Sequence, residues 1–223
     1  MFETIDWHIE DGIGFIQLNQ PPANIMSKLF FYEIHELADT LLSNISIQAL
    51  IISGKGRHFS SGADINDLLS FDKDKPQQAS DFYLANSQTF SRFYLANIPV
   101  IAAIKGVCIG SAMELAMACH FRIATENIIM GFPESGFNLM TGCGGSVYLS
   151  ELMNKKDTME LLLTGKNLDA REALNMGIVD DVVPKSELME KAVSFTKNIL
   201  LHNYNRSLKD FYCKKFLRTH RDD

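Results

Sequence analysis

Glu114 and Glu134 stand among small and apolar residues, in Gly110-Ser111-Ala112-Met113-Glu114-Leu115-Ala116 and Gly131-Phe132-Pro133-Glu134-Ser135-Gly136. An acid with such neighbours loses hydration, which disfavours its charged form. Two carboxyl groups in one dry pocket can divide the roles of acid and base, and adding water across a polarised double bond needs both. Each also has a plainer role. Glu114 can be a first-turn acid facing the helix dipole, and Glu134 an ordinary loop carboxylate.

Two further segments can supply backbone donors. His58-Phe59-Ser60-Ser61-Gly62-Ala63-Asp64-Ile65 follows an apolar run, and its small residues let a ligand approach the main chain. Asp64 can cap a following helix and leave the Ala63 N–H free to donate; the alternative is a simple strand-to-helix turn. In Gly106 to Ala116 an apolar run ends and a helix is expected from near Ser111. Its first turn offers unpaired N–H groups to a developing oxyanion. Thr141-Gly142-Cys143-Gly144-Gly145-Ser146 is Gly-rich but lacks the lysine of a P-loop, which leaves close backbone packing beside a ligand. No GxSxG is present.

The elements that must hold these segments follow from periodicity. Residues 13–18 and 49–52 read as strands, with a partner strand around Thr4 to Ile9. Residues 28–45 carry Phe30, Ile34, Leu37, Ala38, Leu41 and Ile45 at helical spacing. A second helix is expected from Gln77 to Ala96, with Phe82, Ala85, Thr89, Phe93 and Ala96 on its inner stripe and Pro99 as its stop. Phe82, Tyr83, Phe90 and Phe93 can serve the core or line an acyl tunnel. Residues 100–104 form another buried strand, and 72–76 a mobile surface loop. Beyond Gly145 the pattern is mainly helical. Asp169 and Glu172 are spaced as a capping box, and Ile178 to Val183 reads as a strand. Strand and helix alternate as in an α/β fold with largely parallel pairing.

The net charge of −6 argues against a nucleic-acid partner, since phosphate contacts need clustered Lys and Arg. It leaves room for one phosphate-bearing ligand on a local patch. The four cysteines show no CxxC spacing, and the six histidines form no metal pattern. No apolar run is long enough to span a membrane, and no signal peptide is visible. A reduced, cytoplasmic setting is the expectation.

Taken together, Phe59 to Ile65, Ile104-Lys105-Gly106, Gly110 to Ala116, Phe132-Pro133-Glu134, Gly142 to Gly145, Leu162-Leu163-Thr164-Gly165 and Ala170 to Pro184 resemble the enoyl-CoA hydratase/isomerase (crotonase) superfamily. The likeness covers roughly residues 5 to 200. It implies an α/β spiral of ββα units over residues 1–190 and a shortened C-terminal helical segment over 191–223. It also implies a homotrimer or hexamer. The substrate would be an acyl-CoA or acyl-carrier-protein thioester, with coenzyme A entering as part of the substrate and no metal or other cofactor.

By family position the oxyanion hole falls on the N–H groups of Ala63 and Ser111, and the hydratase carboxylates on Glu114 and Glu134. Ser111 stands where hydratases commonly have Gly, and Thr141 where they usually have Pro. Substrate contacts are expected from Ala23, Ile25, Arg57, Ser61, Asp64, Ile65, Gly110, Pro133 and Gly142, and Lys55 and Arg57 can meet CoA phosphates. The implied reaction is hydration of the 2,3 double bond in fatty acid metabolism. Glu114 accepts a proton from water, and protonated Glu134 delivers one to the α-carbon. Isomerase or decarboxylase chemistry through Glu134 alone, and a catalytically silent binding subunit, are the alternatives.

Overall fold

The computed structural model describes residues 2–71 and 74–202. Strands β1 (Ile5–Glu10), β2 (Ile13–Leu18), β3 (Ala49–Gly54), β4 (Val100–Ile104), β6 (Phe121–Thr125) and β8 (Asp181–Val183) form one six-stranded sheet in the order β1-β2-β3-β4-β6-β8. Within this sheet, among the described residues, only β1 and β2 pair antiparallel; the later pairings are parallel. The two remaining strands, β5 (Val107–Ile109) and β7 (Ile129–Gly131), form a small parallel sheet. Single bridges extend its line, from Met26 to Ala63, Ser60 to Cys108 and Met130 to Leu168.

The chain therefore repeats one course. A strand of the large sheet leads to a short strand or bridge of the second line, and then to a helix. Strand β4 leads through β5 to α4 (Ser111–Met117). Strand β3 leads past Ser60 and Ala63 to α2 (Ile65–Leu69) and α3 (Pro76–Tyr94), and β2 leads past Met26 to α1 (Lys28–Leu42). This is the expected spiral of ββα turns. Each turn delivers the residues before its helix to the same side of the molecule.

Buried parallel strands read as continuous apolar runs because both faces are covered. Alternate residues show the two faces here. Leu50, Ile52, Val100, Ala102 and Ile104 join the larger core with Phe30, Ile34, Leu37, Phe90, Phe93 and Leu115. Ile51, Ile101, Ala103 and Ile123 join Leu188 and Ala192 in a smaller core on the opposite face. Those last two belong to α8 (Leu188–Leu201), so position 190 lies inside one continuous helix. Helices α5 (Gly145–Leu152), α6 (Lys155–Thr164) and α7 (Ala170–Asn175) complete the chain before β8.

Local signals set most boundaries. The Ser27 side chain caps α1 by accepting from the Phe30 N–H, and Asp64 caps α2 by accepting from the Asn66 N–H. Asp169 and Glu172 form the expected capping box at α7. Asp169→Ala removes it, and chemical denaturation is expected to report a loss of about 1 kcal/mol.

Some expectations are corrected. Helix α1 ends at Leu42, so Ile45 is fully exposed instead of completing the buried stripe. Helix α3 ends at Tyr94, five residues short of Pro99, and its inward stripe runs through Asn86, Thr89, Phe90 and Phe93 while Ala85 faces out. Only Asp181–Val183 of the expected 178–183 strand pairs with β6; the Ile178 and Val179 N–H groups bond to Ala173 O instead. Positions 72 and 73 of the expected mobile loop, and 203–223 of the expected C-terminal segment, lie outside the described residues.

Candidate active site

One apolar cavity of about 210 Å³ collects most of the expected site. Its walls include Ser61, Gly62, Ala63, Ile65, Gly110, Ser111, Pro133, Glu134 and Gly142. The spiral explains the convergence. Ala63 precedes α2, Ser111 opens α4, and Glu134 lies in the 3-10 turn Pro133–Phe137 that follows β7.

The Ala63 segment is fixed by its neighbours. The Met26 N–H donates to Gly62 O at 2.9 Å, and the Asp64 N–H to Met26 O at 3.0 Å. These bonds use the residues on either side, so among the described residues the Ala63 N–H has no acceptor. Ser111 is the first residue of α4, and its N–H belongs to the turn that helices leave unpaired. Gly110 sets the direction of that turn with φ 56° and ψ −131°, a conformation open essentially to glycine alone. A Cβ there would lie 3.3 Å from Glu134 Oε1. Gly110→Ala is expected to cost about 1–3 kcal/mol of stability in denaturant unfolding.

Glu114 lies behind this rim, fully buried on α4. Its Oε1 accepts from the Cys143 N–H at 2.7 Å and the Gly145 N–H at 2.8 Å. Oε2 is buried with no hydrogen-bond partner among the described residues, and so is Glu134 Oε2. Burial pushes the Glu114 carboxyl above its ordinary range, against the opposing pull of the N–H groups of Gly145, Cys143 and Gly142. Burial also raises Glu134, and the Glu114 charge adds to it, reaching about 7. Two acids therefore sit in mutual electrostatic range, each with one oxygen that the fold does not use. Buried polar atoms are nearly always paired, so two orphan oxygens this close, one on the cavity wall and one behind its wall residue Cys143, mark a place for chemistry.

The Gly-rich run earns its composition by packing. A Cβ on Gly142 would lie 2.5 Å from the Tyr83 ring, and one on Gly145 would lie 3.0 Å from Glu114 Cγ. Cys143 is buried beside Glu114, and its thiol is pushed far up by desolvation.

Other expected residues fall elsewhere. Ala23 stands next to the rim, since its carbonyl accepts from the Ser61 N–H at 2.9 Å. Ile25 is exposed. Asp64 is spent on capping α2. Arg57 does not line this cavity but a second one, and Lys55 is ion-paired to Asp6 at 3.0 Å. Phe82 and Tyr83 line the cavity, whereas Phe90 and Phe93 are core. The sequence reading missed Phe31, Leu68, Phe137, Leu139 and Met140, which form much of the apolar wall. Leu68 follows Ile65 at i+3, and Phe137, Leu139 and Met140 follow closely on Glu134, interrupted only by Asn138. Both signals were available.

A pair of N–H donors beside a pair of buried carboxyls can polarise a carbonyl and move protons next to it. The family model described as enoyl-CoA hydratase/isomerase matches residues 8–221, and the chain belongs to that family. It is 37% identical over 189 residues to the fatty acid oxidation complex subunit alpha of Idiomarina loihiensis, covering 82% of this chain and 26% of that subunit. The same subunit of Shewanella frigidimarina is 36% identical over 193 residues, covering 84% of this chain and 27% of its own length. The chain thus spans about a quarter of these curated relatives. Among solved structures, the enoyl-CoA hydratase of Thermoplasma volcanium superimposes with TM-score 0.80 at 28% identity, covering 98% of this chain and 93% of that one. That of Bacillus anthracis gives 0.82 at 25%, covering 98% and 92%.

Proposed function

We propose that the chain is an enoyl-thioester hydratase acting on an acyl-CoA. The reading rests above all on one observation: Glu134 on the cavity wall and Glu114 behind its wall residue Cys143 lie in mutual electrostatic range, and each keeps a buried oxygen without a partner among the described residues. The thioester oxygen sits between the N–H groups of Ala63 and Ser111. As water attacks C3, charge flows onto that oxygen, and loss of one such donor costs about 3–4 kcal/mol. Glu114 Oε2 takes the proton of the attacking water while the Cys143 and Gly145 N–H groups hold Oε1 in place. Protonated Glu134 then gives its proton to C2. The active form carries one proton between the two acids, and its loss from Glu134 lies near 7.

An isomerase needs only one acid–base group to carry a proton between two carbons. The second buried carboxyl, Glu114, favours hydration over that reading. Turnover of crotonyl-CoA in water enriched in heavy oxygen separates the two. Hydration places the label on C3 of the product, and double-bond migration places none. A product without label would overturn the proposal.

The Ala63 donor can be removed alone. Ala63→Pro deletes the N–H, and kcat is expected to fall by about 10²–10³. The Gly62 carbonyl of that same amide can still accept from the Met26 N–H, and a thermal melt checks that the fold survives.

A further inference from the structure

Strand β5 has two ends, and only one faces the site above. Ile109 lines the first cavity, while Val107 lines a second one of about 320 Å³. At about 3.3 Å per residue the two rims lie about 7 Å apart along the strand. Arg57, His58, Thr125, Asn127 and Lys185 line the second cavity with β5 and β7, and among the described residues no carboxylate does.

We infer that this second cavity binds a phosphate group, held by Arg57, Lys185 and Lys105 with His58 as a neutral donor. Arg57 and Lys185 line the cavity, and Lys105, next to Gly106 of its wall and in electrostatic range of Lys185, adds a third cation from a third turn of the spiral in a chain of net charge −6. Among the described residues none of them has an ion-pair partner, although six other Lys and Arg side chains do. Their charges act on one another: Lys185 pulls Lys105 down after burial does, and burial, then Arg57 and Lys185, pull His58 down. Unpaired like charges gathered at a concave surface are costly until an anion joins them. His58 Nδ1 accepts from the Val107 N–H at 3.0 Å, which puts the imidazole proton on Nε2 as a donor. Thr125 and Asn127 add neutral polar groups of the kind that phosphate oxygens accept from.

The phosphate can be that of a CoA nucleotide or of a separate phosphate ester. The inference stands whether or not the chain hydrates thioesters. The test titrates inorganic phosphate into wild type, Lys185→Gln and Lys105→Gln/Lys185→Gln by calorimetry, with the His58 imidazole resonances followed by NMR. Wild type is expected to bind with the His58 signals shifting, and the double variant to bind at least tenfold more weakly. CoA and dephospho-CoA then distinguish the sources. Tighter binding of CoA, lost in the double variant, assigns the phosphate to CoA. Equal binding of the two, with phosphate still bound in their presence, assigns it to a separate ester. Equal phosphate affinity in wild type and double variant, no binding to wild type, or unmoved His58 signals would overturn the inference. Absence of turnover in wild type would sink the hydratase proposal and leave this result standing.

Discussion

Glu114→Gln is expected to lower kcat for enoyl-thioester hydration by roughly 10²–10⁴-fold while the protein stays folded. The amide oxygen can keep the bonds from the Cys143 and Gly145 N–H groups, now at 2.7 and 2.8 Å to Oε1. The amide nitrogen takes the position of Oε2, which has no partner to lose among the described residues. Packing of Cγ beneath Gly145 is retained. What disappears is an oxygen able to accept a proton from water. Burial of an unpaired amide costs about 1–3 kcal/mol, and the orphan oxygen it replaces already carries part of that cost. A thermal melt close to that of wild type, together with collapsed turnover, separates chemistry from folding. Under the isomerase reading the same substitution leaves double-bond migration intact.

Glu134→Gln carries the second large effect, again roughly 10²–10⁴-fold in kcat, because no acid remains to protonate C2. It also changes the pH profile. In wild type, burial and the Glu114 charge hold the Glu134 proton up to about 7. Rate therefore falls as pH rises through that value, approaching tenfold per unit, and the falling limb disappears from the residual activity of Glu134→Gln. The sign for stability agrees. A raised carboxyl pKa means the folded state holds the proton more tightly than the unfolded state, so this contribution is full below about 4.5 and is lost as pH rises through about 7. Stability of Glu134→Gln is expected to vary less over that window, as measured by denaturant midpoints.

Much of the frame was legible in the sequence. The runs at 13–18, 49–52 and 100–104 are apolar because both faces of a parallel sheet are covered, and they appear as β2, β3 and β4. The capping box at Asp169 and the cap at Asp64 are local chemistry and appear as read. The acids at 114 and 134 stood out because their neighbours are small and apolar. Their approach to each other, Glu134 on the cavity wall and Glu114 behind it, was not written in local pattern; it comes from the parallel register that aligns successive turns. The same limit explains Arg57. Sequence places it four residues before Ser61, but the chain turns between them, so one side chain lines the first cavity and the other the second. Spacing alone also could not separate Tyr83, which lines the cavity, from Phe90 and Phe93, which fill the core. All lie on α3, and only the packing partner decides which face is which.

The two-acid mechanism is tested most directly by the loss of conjugated thioester absorbance with crotonyl-CoA in wild type, Glu114→Gln and Glu134→Gln side by side. The account predicts rapid loss in wild type and a fall of roughly 10² or more in each variant. Full turnover in either variant would contradict it.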